Sequence, residues 1–147
     1  MSTALSIPEE IISNKIYLIR NQKIMLDRDL AVLYGVNTKV LKQAVRRNIK
    51  RFPSDFMFEM TKEEFTLWKS QFMNESDKKG LRYVPFCFTE QGVTMLSCIL
   101  NSERAIDVNI RIIRVFTKIR EIQIDNLSIK LDIEAIKKKL SNQSKNI

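Results

Sequence analysis

The stretch Asp27-Arg-Asp-Leu-Ala-Val-Leu-Tyr-Gly-Val-Asn-Thr-Lys-Val-Leu-Lys-Gln-Ala-Val-Arg46 sets the organisation of the chain. Asp27 is placed to cap a helix over Arg28–Tyr34, and Gly35 to end it, because glycine takes a positive φ without steric cost. Asn37 is placed to cap a second helix from about Thr38 to Arg51, which Pro53 stops. Leu30, Tyr34, Val36, Leu41 and Ala44 fall where two helices joined by a tight turn need apolar contacts. Ala31 is small where the second helix must come close to the first. Counted from Asp27, Ala31, Gly35 and Leu41 hold the fifth, ninth and fifteenth places, the arrangement of a helix-turn-helix.

At 100° per residue the second helix divides into two faces. Val40, Leu41, Ala44, Val45 and Ile49 share one. Lys39, Gln43, Arg46 and Lys50 form a stripe opposite, flanked by Lys42 and Arg47. Long cations match phosphates and guanine edges, and the Gln43 amide can pair bidentately with adenine. Asn48 projects to the apolar side, where it needs a backbone partner.

The charge of the whole chain concentrates here. Lys and Arg number 25 against 17 Asp and Glu, a net charge of +8. Residues 36–51 hold six cations (Lys39, Lys42, Arg46, Arg47, Lys50, Arg51) and no acid. An ordinary solvated helix face mixes signs, so this patch points to a polyanionic partner.

The chain has no histidine. That excludes Ser-His-Asp and Cys-His nucleophile systems and His-ligated metals. Cys87 and Cys98 cannot supply a four-ligand cage, and both lie in apolar runs that predict buried, reduced thiols. No metal, cofactor or catalytic residue is expected. The strongest enzymatic alternative, a metal-dependent nuclease, would have to use Asp55, Glu59 and Lys62, which show no recognised spacing. Met1–Glu10 lacks the features of a secretion signal, and no run of about 18 apolar residues exists. A cytoplasmic protein without membrane contact is the expectation, associated with the nucleoid when bound to DNA.

Around the helix pair, Ile16–Arg20 and Lys23–Leu26 read as a β-hairpin broken at Asn21-Gln22. Phe56–Met60 is strand-like, and Thr61-Lys-Glu-Glu64 is a capping box opening a helix to about Phe72. Asn74–Gly80 is a polar loop whose Lys78 and Lys79 could touch a DNA backbone as a wing. Arg82–Phe88 reads as a second strand, and Thr89 caps a helix through Leu100. Trp68 is read as core rather than as a platform for stacking bases.

From Ala105 a heptad pattern runs nearly to the end. Its a and d positions are Ala105, Val108, Ile112, Val115, Ile119, Ile122, Asn126, Ile129, Ile133, Ile136 and Leu140. A single Asn in an apolar seam favours one register and a two-stranded state. The pairs Asp125–Lys130 and Asp132–Lys137 attract across a parallel dimer. A two-fold pair would present two basic helices to half-sites about one DNA turn (~34 Å) apart.

Several stretches are similar to one family. Ile19-Arg-Asn-Gln-Lys-Ile-Met-Leu-Asp-Arg-Asp-Leu-Ala-Val-Leu-Tyr-Gly-Val36, Lys42-Gln-Ala-Val-Arg-Arg-Asn-Ile-Lys-Arg-Phe-Pro-Ser-Asp-Phe-Met-Phe58, Phe88-Thr-Glu-Gln-Gly-Val-Thr-Met-Leu96 and Leu100-Asn-Ser-Glu-Arg-Ala-Ile106 resemble the KilA-N domain in its Orf-six amino-terminal subtype. The resemblance covers roughly residues 10–120. It implies a DNA-binding regulator or anti-repressor of phage, prophage or large-virus type, with the basic helix as the DNA-contact element and no catalytic residues.

The expected architecture is therefore α+β: a winged helix-turn-helix-like domain with short strands, followed by a long C-terminal helix forming a coiled coil. The expected divisions are a flexible N-terminus at 1–9, the DNA-binding domain at 10–104 and a dimerising segment at 105–147. Double-stranded DNA is the expected partner, contacted by Asn37, Thr38, Lys39, Lys42, Gln43, Arg46, Arg47, Lys50 and Arg51. A homodimer is expected through Ile112, Val115, Ile119, Ile122, Asn126, Ile129, Ile133, Ile136 and Leu140. The alternative is an anti-repressor whose target is another regulator protein, bound through the tail or the Phe- and Met-rich stretch around Phe56–Phe72.

Overall fold

The computed structural model describes residues 8–74 and 83–145. Lys78 and Lys79, expected as a wing, lie outside the described residues. The contacts divide the chain into a unit ending at Ile113 and a second from Arg114 onward.

The first unit opens with a five-residue helix, α1 (Glu9–Ser13), which buries Ile12. So short a segment has no periodicity to read, and none was expected there; Pro8 before it and two acids in its first turn suit a helix start. The predicted hairpin follows as β1 (Ile16–Ile19) and β2 (Gln22–Leu26), with Ile19 opposite Gln22. Its two turn residues, Arg20 and Asn21, have φ of 53° and 61°. Both being positive makes this a primed hairpin turn, whose twist suits the strands.

Helix α2 (Asp27–Tyr34) and helix α3 (Thr38–Arg47) come next, then a 3₁₀ turn at Ile49–Arg51. Strand β3 (Met57–Glu59), helix α4 (Lys62–Phe72), strand β4 (Phe86–Phe88) and helix α5 (Glu90–Leu100) complete the domain, and helix α6 runs from Glu103 to Lys145. The result is a mixed α+β fold with one antiparallel sheet in the order β1-β2-β4-β3. Among the described residues, strand is confined to Phe86–Phe88 of the expected Arg82–Phe88. No helix of the described residues is long and apolar enough to cross a membrane.

The sheet is covered on both faces, as its alternating residues require. Leu26, Cys87 and Phe58 face each other in register and pack with Ile24, Phe65 and Trp68, so α4 closes that side. Trp68 is buried here as predicted, edge-on to Tyr17. Met25, Phe88 and Met57 share the other face, which α2, α3 and α5 cover with Leu30, Leu41, Val45, Val93 and Leu96. The core consumes the Phe- and Met-rich stretch: Met57, Phe58, Met60 and Phe65 are buried, and only Phe72 of its phenylalanines is strongly exposed. Leu67 and Phe72 remain exposed on the outer side of α4. Cys87 is buried, and burial pushes its thiol up to about 12, whereas Cys98 is exposed, against expectation, on the outer side of α5.

The Thr61 and Thr89 caps are placed as the sequence predicts. Thr61 and Glu64 form a reciprocal capping box, and the Gly92 amide donates to Thr89 Oγ1 at 3.4 Å. Gly92 cannot carry a side chain, because a Cβ would stand 1.9 Å from the Phe56 carbonyl oxygen. That oxygen also accepts from the Thr89 amide, so α5 starts hard against the loop before β3.

One ion pair fastens the hairpin to α4. The Arg20 guanidinium binds Glu64 through Nε–Oε2 and Nη2–Oε1, both 2.9 Å, reaches the Glu59 carbonyl at 3.2 Å and lies over the Phe58 ring. The Arg20 bond, aided by the Thr61 amide, holds the Glu64 carboxyl down at about 2, below its ordinary 4.5. A depressed folded-state pKa gives stability that is complete above pH 4.5 and is lost as pH falls through 2. In chemical denaturation across that window, Glu64→Gln should be less stable than wild type at pH 6 and lose less on acidification. Parallel pH profiles for the two proteins would refute the assignment.

Candidate nucleic-acid interface

The turn between α2 and α3 has the backbone that its glycine predicts. Gly35 has φ 71°, and the Gly35 and Val36 amides donate to Val32 and Ala31, the double closure of a left-handed helix end. Arg104, in the first turn of α6, reaches across to donate from Nε to the Leu33 carbonyl at 3.0 Å. Its side chain passes within 3.0 Å of where a Gly35 Cβ would sit, so the positive φ and this close approach both favour glycine here.

Asn37 caps α3 as predicted, its Oδ1 accepting from the Lys39 amide at 3.0 Å. The helix ends at Arg47, four residues earlier than predicted. The Asn48 amide group finds the backbone partner it needs by donating to the Ala44 carbonyl at 2.8 Å, competing with the helical bond there. Lys50 and Arg51 therefore ride on the 3₁₀ turn and do not extend the α3 stripe. Leu41 and Val45 are buried as projected, but Val40 and Ile49 are about half exposed, so the inward face is narrower than the wheel suggests.

Lys39, Gln43, Arg46, Arg47, Lys50 and Arg51 are all exposed, Asn37 is exposed beside its cap bond, and Thr38 is half-buried. Arg46 leans its guanidinium to 5.6 Å from the Phe86 ring centre. Lys42 is placed otherwise. Its ammonium is 3.3 Å from Asp27 Oδ2, 3.5 Å from the Val84 carbonyl and above the Phe86 ring. Its charge is spent within the fold, on Asp27.

Asp27, in turn, is not the helix cap that its position predicts. Leu26 holds the cap position, and the Asp27 carboxylate is buried as the first helical residue. Oδ1 accepts from the Arg28 amide at 2.7 Å and Oδ2 from the Phe86 amide at 3.0 Å. One carboxylate thereby joins α2, α3 and β4. No periodic pattern could reveal this, because Phe86 lies 59 residues away.

In the tail, Ile112 is fully buried within the first unit, and Val115 is buried too, so neither has surface for a partner, contrary to the expected seam. Beyond Phe116 no described residue is buried. Ile119 is half-buried, and Ile122, Ile129, Ile133, Ile136 and Leu140 stand exposed. The side chains of Asn126, Asp125 and Lys130 lie outside the described residues. No cluster of three or more His, Cys, Asp or Glu suited to a metal occurs among the described residues.

Comparison with known families adds a decisive observation: the ORF6N domain model matches residues 14–99, more than half of the chain. The chain belongs to the ORF6N domain family. The matched residues take in β1 through nearly all of α5, and so both helices of the candidate site and the whole sheet. Nothing among curated proteins or solved structures matches the chain.

The Asp27–Lys42 pair is testable by a double-mutant cycle. Asp27→Leu alone leaves a part-buried ammonium unpaired and two amides without their acceptor, and should cost about 3–5 kcal/mol in urea unfolding. Lys42→Met added to it should restore the part of that loss owed to the unpaired ammonium, while the Arg28 and Phe86 amides stay without their acceptor. Additive single effects would show that the two charges do not depend on each other.

Proposed function

We propose that this ORF6N-domain protein is a non-catalytic, duplex-DNA-binding regulator or anti-repressor of phage or mobile-element type. In this reading α2 and α3 act as a helix-turn-helix, and α3 is the element laid into the major groove. The observation that carries it is the undiluted cationic surface of residues 38–51. Lys39, Arg46, Arg47, Lys50 and Arg51 are exposed, and among the described residues none of them is in an ion pair. Gln43 lies among them as the group able to discriminate bases.

Family membership supports the regulatory reading, and the missing histidine supports binding over catalysis. The site of action in this reading is the cytoplasm, on the nucleoid when DNA is bound.

The same proposal includes a homodimer formed through Ile119–Leu140. Five exposed isoleucines and leucines at heptad positions favour a helical partner of the same pattern. A regulator protein as partner is the second reading, and the same exposed seam is what favours it.

Arg46→Ala with Lys50→Ala should weaken duplex binding and lower the slope of log affinity against log salt by about 2, with an unchanged circular dichroism spectrum. Wild-type affinity in the double mutant would remove the α3 assignment. In sedimentation at micromolar concentration the protein should be a dimer, and Ile129→Lys with Ile136→Lys a folded monomer. A monomeric wild type would remove the coiled-coil proposal and leave the seam to the regulator partner.

A further inference from the structure

Beside the first turns of α3 lies a groove of about 610 Å³, within the ~300–1,000 Å³ span of small-molecule sites. Lys39, Lys42 and Arg46 line it from the helix, and Glu59, Tyr83 and Phe86 from the sheet side. Tyr83 is 79% exposed, the most exposed large apolar side chain among the described residues. Solvating so much aromatic surface is unfavourable, and here that surface stands next to free cations.

The chemistry of the groove is selective. Phe86 is buried, with Lys42 and Arg46 above its ring, and serves as the floor. Asp27 already neutralises Lys42, which leaves Lys39 and Arg46 to meet an anion. Glu59 opposes a bare phosphate but accepts from an amine. An occupant must therefore bring a flat ring, a negative group and a hydrogen-bond donor, and a nucleotide has all three. Positive grooves with an aromatic platform bind unpaired bases, because every base offers a π-face.

We propose that this groove receives one unstacked nucleobase, its ring on Tyr83, its phosphate against Lys39 and Arg46, and its exocyclic amine toward Glu59. The inference rests on α3 being the nucleic-acid face. It adds that the protein prefers DNA with a locally opened strand, since a base within an intact stack cannot enter.

The test uses the full chain and two fluorescent 21-base-pair duplexes at low salt, identical except for one extra cytosine bulged at the centre of one. The wild type should bind the bulged duplex about tenfold more tightly, the scale of one stacked base. Tyr83→Phe should keep the preference. Tyr83→Ala should abolish it while binding the paired duplex within about twofold of wild type. With 2-aminopurine in place of the bulged base, wild-type protein should change its emission and Tyr83→Ala should not. Equal wild-type affinity for the two duplexes would overturn this inference and leave duplex binding by α3 standing. So would a Tyr83→Ala protein weakened equally on both. Failure to bind either duplex would overturn both readings together.

Discussion

The Asp27 carboxylate is the constraint on which the arrangement of the helices depends. A buried carboxylate is tolerated only when its oxygens are satisfied, and here they take an amide of α2, an amide of β4 and the ammonium of Lys42. That set fixes more than stability. With Lys42 drawn inward over Phe86, α3 has one rotation about its axis, and Lys39, Gln43 and Arg46 are left facing outward. The direction in which the basic surface points is thus set by a cation of the same helix whose charge is spent on Asp27.

Features governed by neighbours in sequence were legible without the structure. The hairpin, the Asn37, Thr61 and Thr89 caps, Gly35 and the burial of Trp68 all follow from short-range chemistry. Two signals misled because they were read one residue at a time. Asp27 has the chemistry and the place of a cap, yet a partner 59 residues away claims it. Lys42 has the charge of its neighbours on the helix, but its depth depends on where the sheet lies. Cys98 sits in an apolar run, but α5 turns it outward, and Tyr83 gave no signal, since nothing local distinguishes an exposed tyrosine from a packed one.

The heptad pattern of α6 is continuous in sequence but not in use. Its first positions, Ala105, Val108 and Ile112, are core residues of the domain, and the exposed positions begin beyond Phe116. One periodicity thus meets two demands, since packing on one's own domain and packing on another helix ask for the same apolar spacing. Arg104, at the start of this helix, also closes the carbonyl end of α2, so the first turn of α6 and the turn between α2 and α3 are held by one side chain.

The family match and the folding unit have different edges. Residues 14–99 carry the pattern by which ORF6N domains are known, yet Ile12 before them and Ala105, Val108 and Ile112 after them are fully buried. A segment cut at the family's limits would expose the floor of its own core. An excised domain that keeps its core would need ends outside both edges, beyond the first turns of the long helix. The folding unit is larger than the recognisable one, and it includes the base of the tail.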